Sequence, residues 1–436
     1  MKTIFVKLLP LAIMSVIGVI GLKQAYADSN DSADLIKQGA YLARAGDCTA
    51  CHTEAGGKPF AGGLAIRSPM GVIYSTNITP DKNAGIGSYT EQQFAEAVRK
   101  GVRRDGSNLY PAMPYPDYSG ITDKDIHALY VYFMHGVAPV SVKAPQTSLT
   151  FPFSLRWGMK FWNIAFASGN SYPPAPTTQS DSADAQALSR GRYLVDTLGH
   201  CSSCHTPRGI GMQEKALNDS DSRFLSSGML NDWTVPSLRN PDGWSVNDIA
   251  EYLSTGRNDF ASVGGEMTGV VQHSMQHMNQ ADLHAIALYL KSLPASTKQQ
   301  HNVKPDLQND TQKTVDTLTL GKNLNSGQML YLNNCEACHL TDGGGAKKIF
   351  PRLNGASIVL ADNPTGLISV MLKGAQTPST ANAPSVQFMP GFEQRLNDQQ
   401  IAELASFVRS GWGNNAPPVS AADVAKVRAS LNTSQK

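Results

Sequence analysis

Every cysteine in this chain stands in the same five-residue frame. Cys48-Thr-Ala-Cys51-His52, Cys201-Ser-Ser-Cys204-His205 and Cys335-Glu-Ala-Cys338-His339 use all six, and none is left over. A zinc ribbon places its second cysteine pair about 15–20 residues after the first. Here 150 positions separate Cys51 from Cys201, and 134 separate Cys204 from Cys338. A redox-active pair needs neither a following histidine nor three copies, and disulfides within each pair would leave three histidines without a role. The frame is the attachment signature of c-type haem. Two thiols on one helical turn reach the two vinyl groups of one porphyrin, and the adjacent histidine is held beneath the iron. The sequence therefore predicts three covalent haem c groups, attached at Cys48 and Cys51, Cys201 and Cys204, and Cys335 and Cys338, with His52, His205 and His339 as axial ligands.

Length and charge fit such a chain. At 436 residues it exceeds one ordinary core and should divide into two to four units. Residues 1–27 have the form of a secretory signal: Lys2 and Lys7, an uncharged run from Leu8 to Leu22, and Ala25-Tyr26-Ala27 as cleavage site. The apolar run is shorter than the ~20 residues of a spanning helix, so the body of the chain is expected outside the cytoplasm. Loss of Lys2, Lys7 and Lys23 takes three from the 37 Lys and Arg and leaves them one short of the 35 Asp and Glu. No basic field remains to attract nucleic acid.

An internal repeat surrounds the motifs. Ahead of each lies a short helical pattern: Leu35–Leu42, Leu188–Leu194 and Gly327–Leu332. Each unit closes on an amphipathic pattern, over Asp125–Phe133, Asp282–Leu290 and Gln400–Val408. Between them runs a helix ending in glycine: Tyr89–Lys100 before Gly101, Ser245–Thr255 before Gly256, and Thr365–Lys373 before Gly374. This plan resembles class I cytochromes c, and the resemblance implies an all-α chain of three tandem cytochrome c-like domains. Met113 follows Gly101 by 12 residues and Met389 follows Gly374 by 15, each just before a proline. A thioether at that place is the expected sixth iron ligand, and it raises the reduction potential. In the middle unit Met267, 11 residues after Gly256, is favoured; Met275 is the alternative, and Met278 lies almost on the closing helix. His127 and His284 occupy matching places on the closing helices and read as surface or interhelix residues. Pro351 and Pro236 stand where a backbone carbonyl would orient a proximal imidazole; no equivalent is assigned for His52. Arg352 reads either as a propionate partner or as exposed.

The expected organisation is a signal peptide over 1–27, a first domain over 28–170 and a linker over 171–186. A second domain over 187–296, a polar linker over 297–316, a third domain over 317–416 and a tail over 417–436 follow. The first domain carries an aromatic extension, 149–168, with Phe151, Phe153, Trp157, Phe161, Trp162 and Phe166 beside Arg156 and Lys160. That composition suits a membrane interface or a partner subunit; ordinary packing between the first two domains is the competing reading.

Tyr41–Thr53, Gly57–Gly63, Tyr74–Asp81, Tyr110–Tyr115 and Ala285–Pro294 together resemble the three-haem cytochrome c subunit of bacterial membrane-bound dehydrogenases that oxidise alcohols, gluconate, sorbitol, fructose and aldehydes. The likeness spans nearly the whole mature chain. It implies a large partner subunit with flavin or pyrroloquinoline quinone, a possible small subunit, ubiquinone as acceptor, and a place in the periplasm on the outer face of the cytoplasmic membrane. Trp233–Arg239 departs from the family pattern by lacking the asparagine found in Tyr74–Asp81. Irons ligated on both faces exchange electrons and do not activate a bound molecule. No flavin fingerprint and no serine or zinc catalytic motif is present. A freely diffusing periplasmic shuttle and a multihaem peroxidase are the rival readings.

Overall fold

The computed structural model describes residues 32–167, 182–230, 233–296 and 307–433. The expected signal peptide, residues 168–170 at the end of the expected first domain, and residues 171–181 and 297–306 of the expected linkers lie outside them.

The chain is mainly helical, and its order of elements recurs around each cysteine motif. Opening helices span residues 32–45, Ala183–Tyr193 and Ser326–Asn334. Closing helices span Asp123–Val131, Gln280–Ser292 and Asp398–Ser410. Each closing helix starts because a short polar side chain satisfies an otherwise unpaired N–H: Thr122, Asn279 and Asn397 accept from the backbone of Asp125, Asp282 and Gln400. The intermediate helices Glu91–Lys100 and Val246–Thr255 have full capping boxes at Thr90 and Ser245, and stop at Gly101 and Gly256 in the left-handed conformation.

Opening and closing helices cross at a glycine in all three places. A methyl group on Gly39 would lie 2.0 Å from the carbonyl oxygen of Ala128, one on Gly191 1.9 Å from that of Ala285, and one on Gly327 2.4 Å from that of Glu403. Only a residue without Cβ lets two helix backbones come this close. Three short antiparallel ribbons supplement the helices. Ala65–Ser68 pairs with Gly71–Tyr74, which also pairs with Ser148–Leu149; Gly228–Leu230 pairs with Trp233–Val235, and Ala375–Gln376 with Phe388–Met389.

The apolar residues form two cores. One is continuous from Leu42 to Leu293 and serves the first two motif regions jointly; the other runs from Leu318 to Val427. The second core recruits stretches that the sequence reads as linker and tail. Leu307–Leu320 is a helix whose Thr311 and Thr314 bond the backbone of the fully buried Trp412. Ala421–Thr433 is also a helix, burying Val424 and Val427 and tying Arg428 to Asp398 at 2.8 Å.

Candidate functional site

Each cysteine motif forms a single helical turn, and all six thiols are free. Burial pushes Cys48, Cys201 and Cys335 up to about 12, and Cys51 and Cys204 up to about 11. The three histidines are held alike. Nδ1 of His52 bonds the carbonyl of Thr76 at 2.7 Å, that of His205 the carbonyl of Pro236 at 2.7 Å, and that of His339 the carbonyl of Pro351 at 2.9 Å. A carbonyl only accepts, so Nδ1 carries the proton and Nε2 keeps its lone pair. Burial also keeps the imidazoles neutral, taking His205 down to about 4 and lowering His52 and His339 against the opposing pull of their carbonyls. A neutral imidazole with Nε2 free is the form an iron accepts, so the residues present fit the haem that the motif implies.

Local structure explains how the carbonyls get there. Thr76 and Pro236 follow the second strands of the first two ribbons, and Pro351 follows the bridge between Ala346 and Phe350. The missing asparagine is replaced in kind. Thr79 N–H donates to Asn77 Oδ1 at 2.8 Å, and Arg239 N–H donates to Ser237 Oγ at 3.2 Å, so the same turn forms one residue beyond each carbonyl. Thr76 escaped the sequence reading because any residue's carbonyl serves.

Met113, Met267 and Met389 are half-buried, whereas Met275 and Met278 are packed into the shared core at 6% exposure each. Met267 begins the helix Met267–His273, which lies against the Cys48–Cys51 turn. Met389 ends a strand that pairs with Ala375, just past Gly374. Arg352 stacks over Phe260 of the second unit at 4.7 Å. His127 bonds Glu91 at the surface, and His284 is exposed.

The aromatic extension has two faces. Its inner face clasps the Met113 loop. Tyr115 donates to Asn163 at 2.6 Å and meets the Trp162 ring at 6.3 Å, Arg156 stacks on Tyr110 at 4.5 Å, and Trp162 donates to the Gly211 carbonyl of the second unit. Its outer face leaves Phe151 80%, Trp157 62%, Phe161 65% and Ile164 69% exposed. Packing and an outward apolar surface thus coexist in one strap.

Sequence reasoning missed the contacts that join the first two units. Tyr41 donates to Asp282 at 2.6 Å, and Tyr193 donates to Asp125 at 2.7 Å. Within the second unit Arg190 adds two bonds to Asp282, each 2.8 Å, and within the first Gln38 adds one to Asp125. Each tyrosine stands two residues after a crossing glycine and each aspartate at the third position of a closing helix, but nothing in the local sequence says that the tyrosine–aspartate bonds run between units.

This all-α fold, with a cysteine–histidine turn under crossed helices, is that of a c-type cytochrome. The family model for cytochrome c matches residues 168–294 and 324–412. The chain is 45% identical over 412 residues to the cytochrome c subunit of alcohol dehydrogenase (quinone) from Gluconobacter oxydans strain 621H, covering 93% of this chain and 84% of that one. It is 46% identical over 417 residues to the gluconate 2-dehydrogenase cytochrome c subunit of Pantoea cypripedii, covering 93% and 92%. It is 40% identical over 418 residues to the fructose dehydrogenase cytochrome subunit of Gluconobacter japonicus, covering 90% and 82%. The chain belongs to this family of dehydrogenase cytochrome c subunits, which carry electrons for an oxidation performed by another subunit.

Proposed function

We propose that this chain holds three haem c groups in three tandem cytochrome c domains and relays electrons from a large flavin or pyrroloquinoline quinone subunit to ubiquinone at the periplasmic face of the membrane. The reading rests above all on the three imidazoles, each fixed through Nδ1 on a backbone carbonyl beside a Cys-x-x-Cys turn. Bound haem c supplies one-electron exchange at an iron whose two axial positions are filled by protein. His52, His205 and His339 provide one ligand each. Met113, Met267 and Met389 provide the other: each has side-chain surface left over for a cofactor, which the packed Met275 and Met278 lack. The first two attachment turns are neighbours: Tyr118 donates to the carbonyl of Gly46, just before Cys48, at 2.7 Å, and its ring meets that of His200, just before Cys201, at 5.5 Å. Extraction in detergent should recover the chain with a large dehydrogenase subunit and three haems per chain by pyridine haemochrome assay. A lone soluble cytochrome, or fewer than three haems, would overturn the reading.

No helix among the described residues is long and apolar enough to cross a membrane. The outer face of the strap is the surface that meets the bilayer. From Ile126 to Ser180 the chain carries no Asp or Glu, while Lys143, Arg156 and Lys160 lie within that stretch. Aromatic side chains beside basic ones favour an anionic lipid interface. Replacing Trp157 and Phe161 by serine, with Trp162 left in place because it packs inward, should release the haem-loaded chain from vesicles containing anionic lipid. Undiminished vesicle binding would assign the strap to the large subunit instead.

A further inference from the structure

The intervening residues of the second attachment motif, Ser202 and Ser203, are gripped from the first unit. Asp117 stands four residues after Met113 and is fully buried. Its Oδ1 accepts from Ser202 Oγ at 2.7 Å, and its Oδ2 lies 3.3 Å from Ser203 Oγ. Ser203 Oγ also lies 3.0 Å from Glu214 Oε1. The nearest cation is Arg208, whose Nη2 is 4.0 Å from Glu214 Oε1 and whose guanidinium already donates to the carbonyls of Ser203 and Met212. Glu214 Oε2 is buried without a hydrogen-bond partner.

Counting protons decides the charge. A hydroxyl donates once, so two serines offer two hydrogens to four carboxylate oxygens. Two buried carboxylates facing one guanidinium at 4.0 Å would leave an uncompensated charge in the interior, which is costly. One proton held between them removes it, as in other paired carboxyl groups. Burial, and then the charge of Glu214, push Asp117 well above the carboxylate range; burial raises Glu214 too, and Asp117 is among the hydrogen-bonding groups that favour its charged form. Tyr118, whose ring stacks edge-on to His200 at 5.5 Å, is the other titratable group facing the pair; the sulfurs of Cys201 and Cys204 also lie nearby but do not titrate once joined to haem.

We propose that Asp117 and Glu214 act as one acid pair, carrying a single negative charge between the first and second haem attachment turns, and that this charge sets the potentials of those two haems together. The proposal rests on the three-haem reading above. Asp117 and Glu214 touch neither substrate nor iron and are therefore positioning residues. A negative charge on the second attachment turn, carried by the loop that bears Met113, favours the oxidised forms of both haems. Reduction of either haem draws a proton from solvent onto the pair, and reoxidation returns it. Among the described residues the third unit holds no buried pair of carboxyl groups, so its haem serves as an internal control.

The test is a spectroelectrochemical titration of the haem-loaded protein, comparing wild type with Asp117→Asn, Glu214→Gln and the double variant. Because the proton is shared, either single change leaves one ionised carboxylate and shifts the potentials little. The double change removes the charge and raises the first and second midpoints, with the third unmoved. An unshifted double variant, single shifts that add up to the double, or an equal shift of the third haem would overturn the proposal. In the unmodified protein, which needs no variant to fold, the first two midpoints should fall as pH rises while the third stays level; a level response from all three would overturn it. A haem count below three in wild type would instead defeat the functional reading itself.

Discussion

The first two units and the third solve the same local problem and differ in what surrounds the solution. All three cross their helices at glycine and hold their imidazole on a carbonyl. The first two then share one apolar core and exchange tyrosine–aspartate bonds. In the third unit Met329 replaces the tyrosine and is 46% exposed, while Gln400 replaces the aspartate and is used in its own capping box. That unit builds its core privately, from the helices Leu307–Leu320 and Ala421–Thr433. Its contact with the second unit is made by loops: Arg352 stacks on Phe260 and donates its N–H to the Phe260 carbonyl, Lys348 N–H donates to the Asn258 carbonyl, and ion pairs join Lys347 to Asp259 at 2.9 Å and Lys348 to Glu251 at 2.7 Å. A small change at the position of Tyr41 and Tyr193 thus separates a joined unit from an appended one.

The sharpest way to break this comparison is at the crossings. Gly191→Ala places a methyl group against the Ala285 carbonyl and should cost more than about 3 kcal/mol. On the three-haem proposal, both haems of the joined pair should then be lost together, whereas Gly327→Ala should lose only the third. Haem content and calorimetric transitions of the two variants report this directly, and separate loss of the first two would show that the joint core is not cooperative.

A pH titration of stability comes next. Burial raises Asp196 to about 8, against the hydrogen bond from Tyr289 and the charge of Arg192. The folded pair binds this proton more tightly than the unfolded chain, whose aspartates titrate near ~3.9. Its stability should therefore fall as pH rises from about 4 to about 8 and level off above, and Asp196→Asn should lessen the slope without abolishing it, because burial also raises Asp47, Asp117 and Glu214. Urea unfolding followed at the haem bands measures it. In the third unit Glu403 and Asp423 are instead held low, by hydrogen bonds from Ser326 and Gln399 and from Ser420, so its transition should not fall over this range.

The reciprocal bonds are worth less individually. Tyr41→Phe takes a donor from the buried Asp282 and should cost about 1–3 kcal/mol, and Tyr193→Phe takes one from the half-buried Asp125 and should cost about 1 kcal/mol. Both should lower the transition of the first two units and spare that of the third. Smallest of all, Lys347→Ala with Lys348→Ala removes exposed ion pairs, and should move the third unit's unfolding by less than about 1 kcal/mol. A larger effect would mean that the second and third units are docked more firmly than their contacts indicate.

What was legible in the sequence is what repeats locally. The cysteine–histidine turns, the capped amphipathic helices and the stops at Gly101 and Gly256 each depend on neighbours within a few residues. The carbonyls of Pro236 and Pro351 were legible because proline marks them, while Thr76 was not, since a backbone group leaves no trace in residue type. Arg352 could be read as a propionate partner or as exposed, but its position over Phe260 depends on a loop of another unit. Asp117 carries no local signal at all, because its two serine partners lie about 85 positions away. The helices at Leu307–Leu320 and Ala421–Thr433 were read as linker and tail because their weak periodicity becomes meaningful only against Trp412 and the closing helix. Tertiary contact overrides propensity at such places.

The exchange of Tyr41 with Asp282 and of Tyr193 with Asp125 has the form of an isologous contact about a dyad, in which one residue meets its counterpart and the counterpart returns the bond. Two identical chains meeting in this way would have to evolve in step, since every substitution would appear on both sides of the axis. Fused into one polypeptide, the halves keep their mutual grip at a very high effective concentration while each is free to diverge. Gln38 on one side and Arg190 on the other already show that freedom, and it is what allows two neighbouring redox centres to acquire different properties without dissociating.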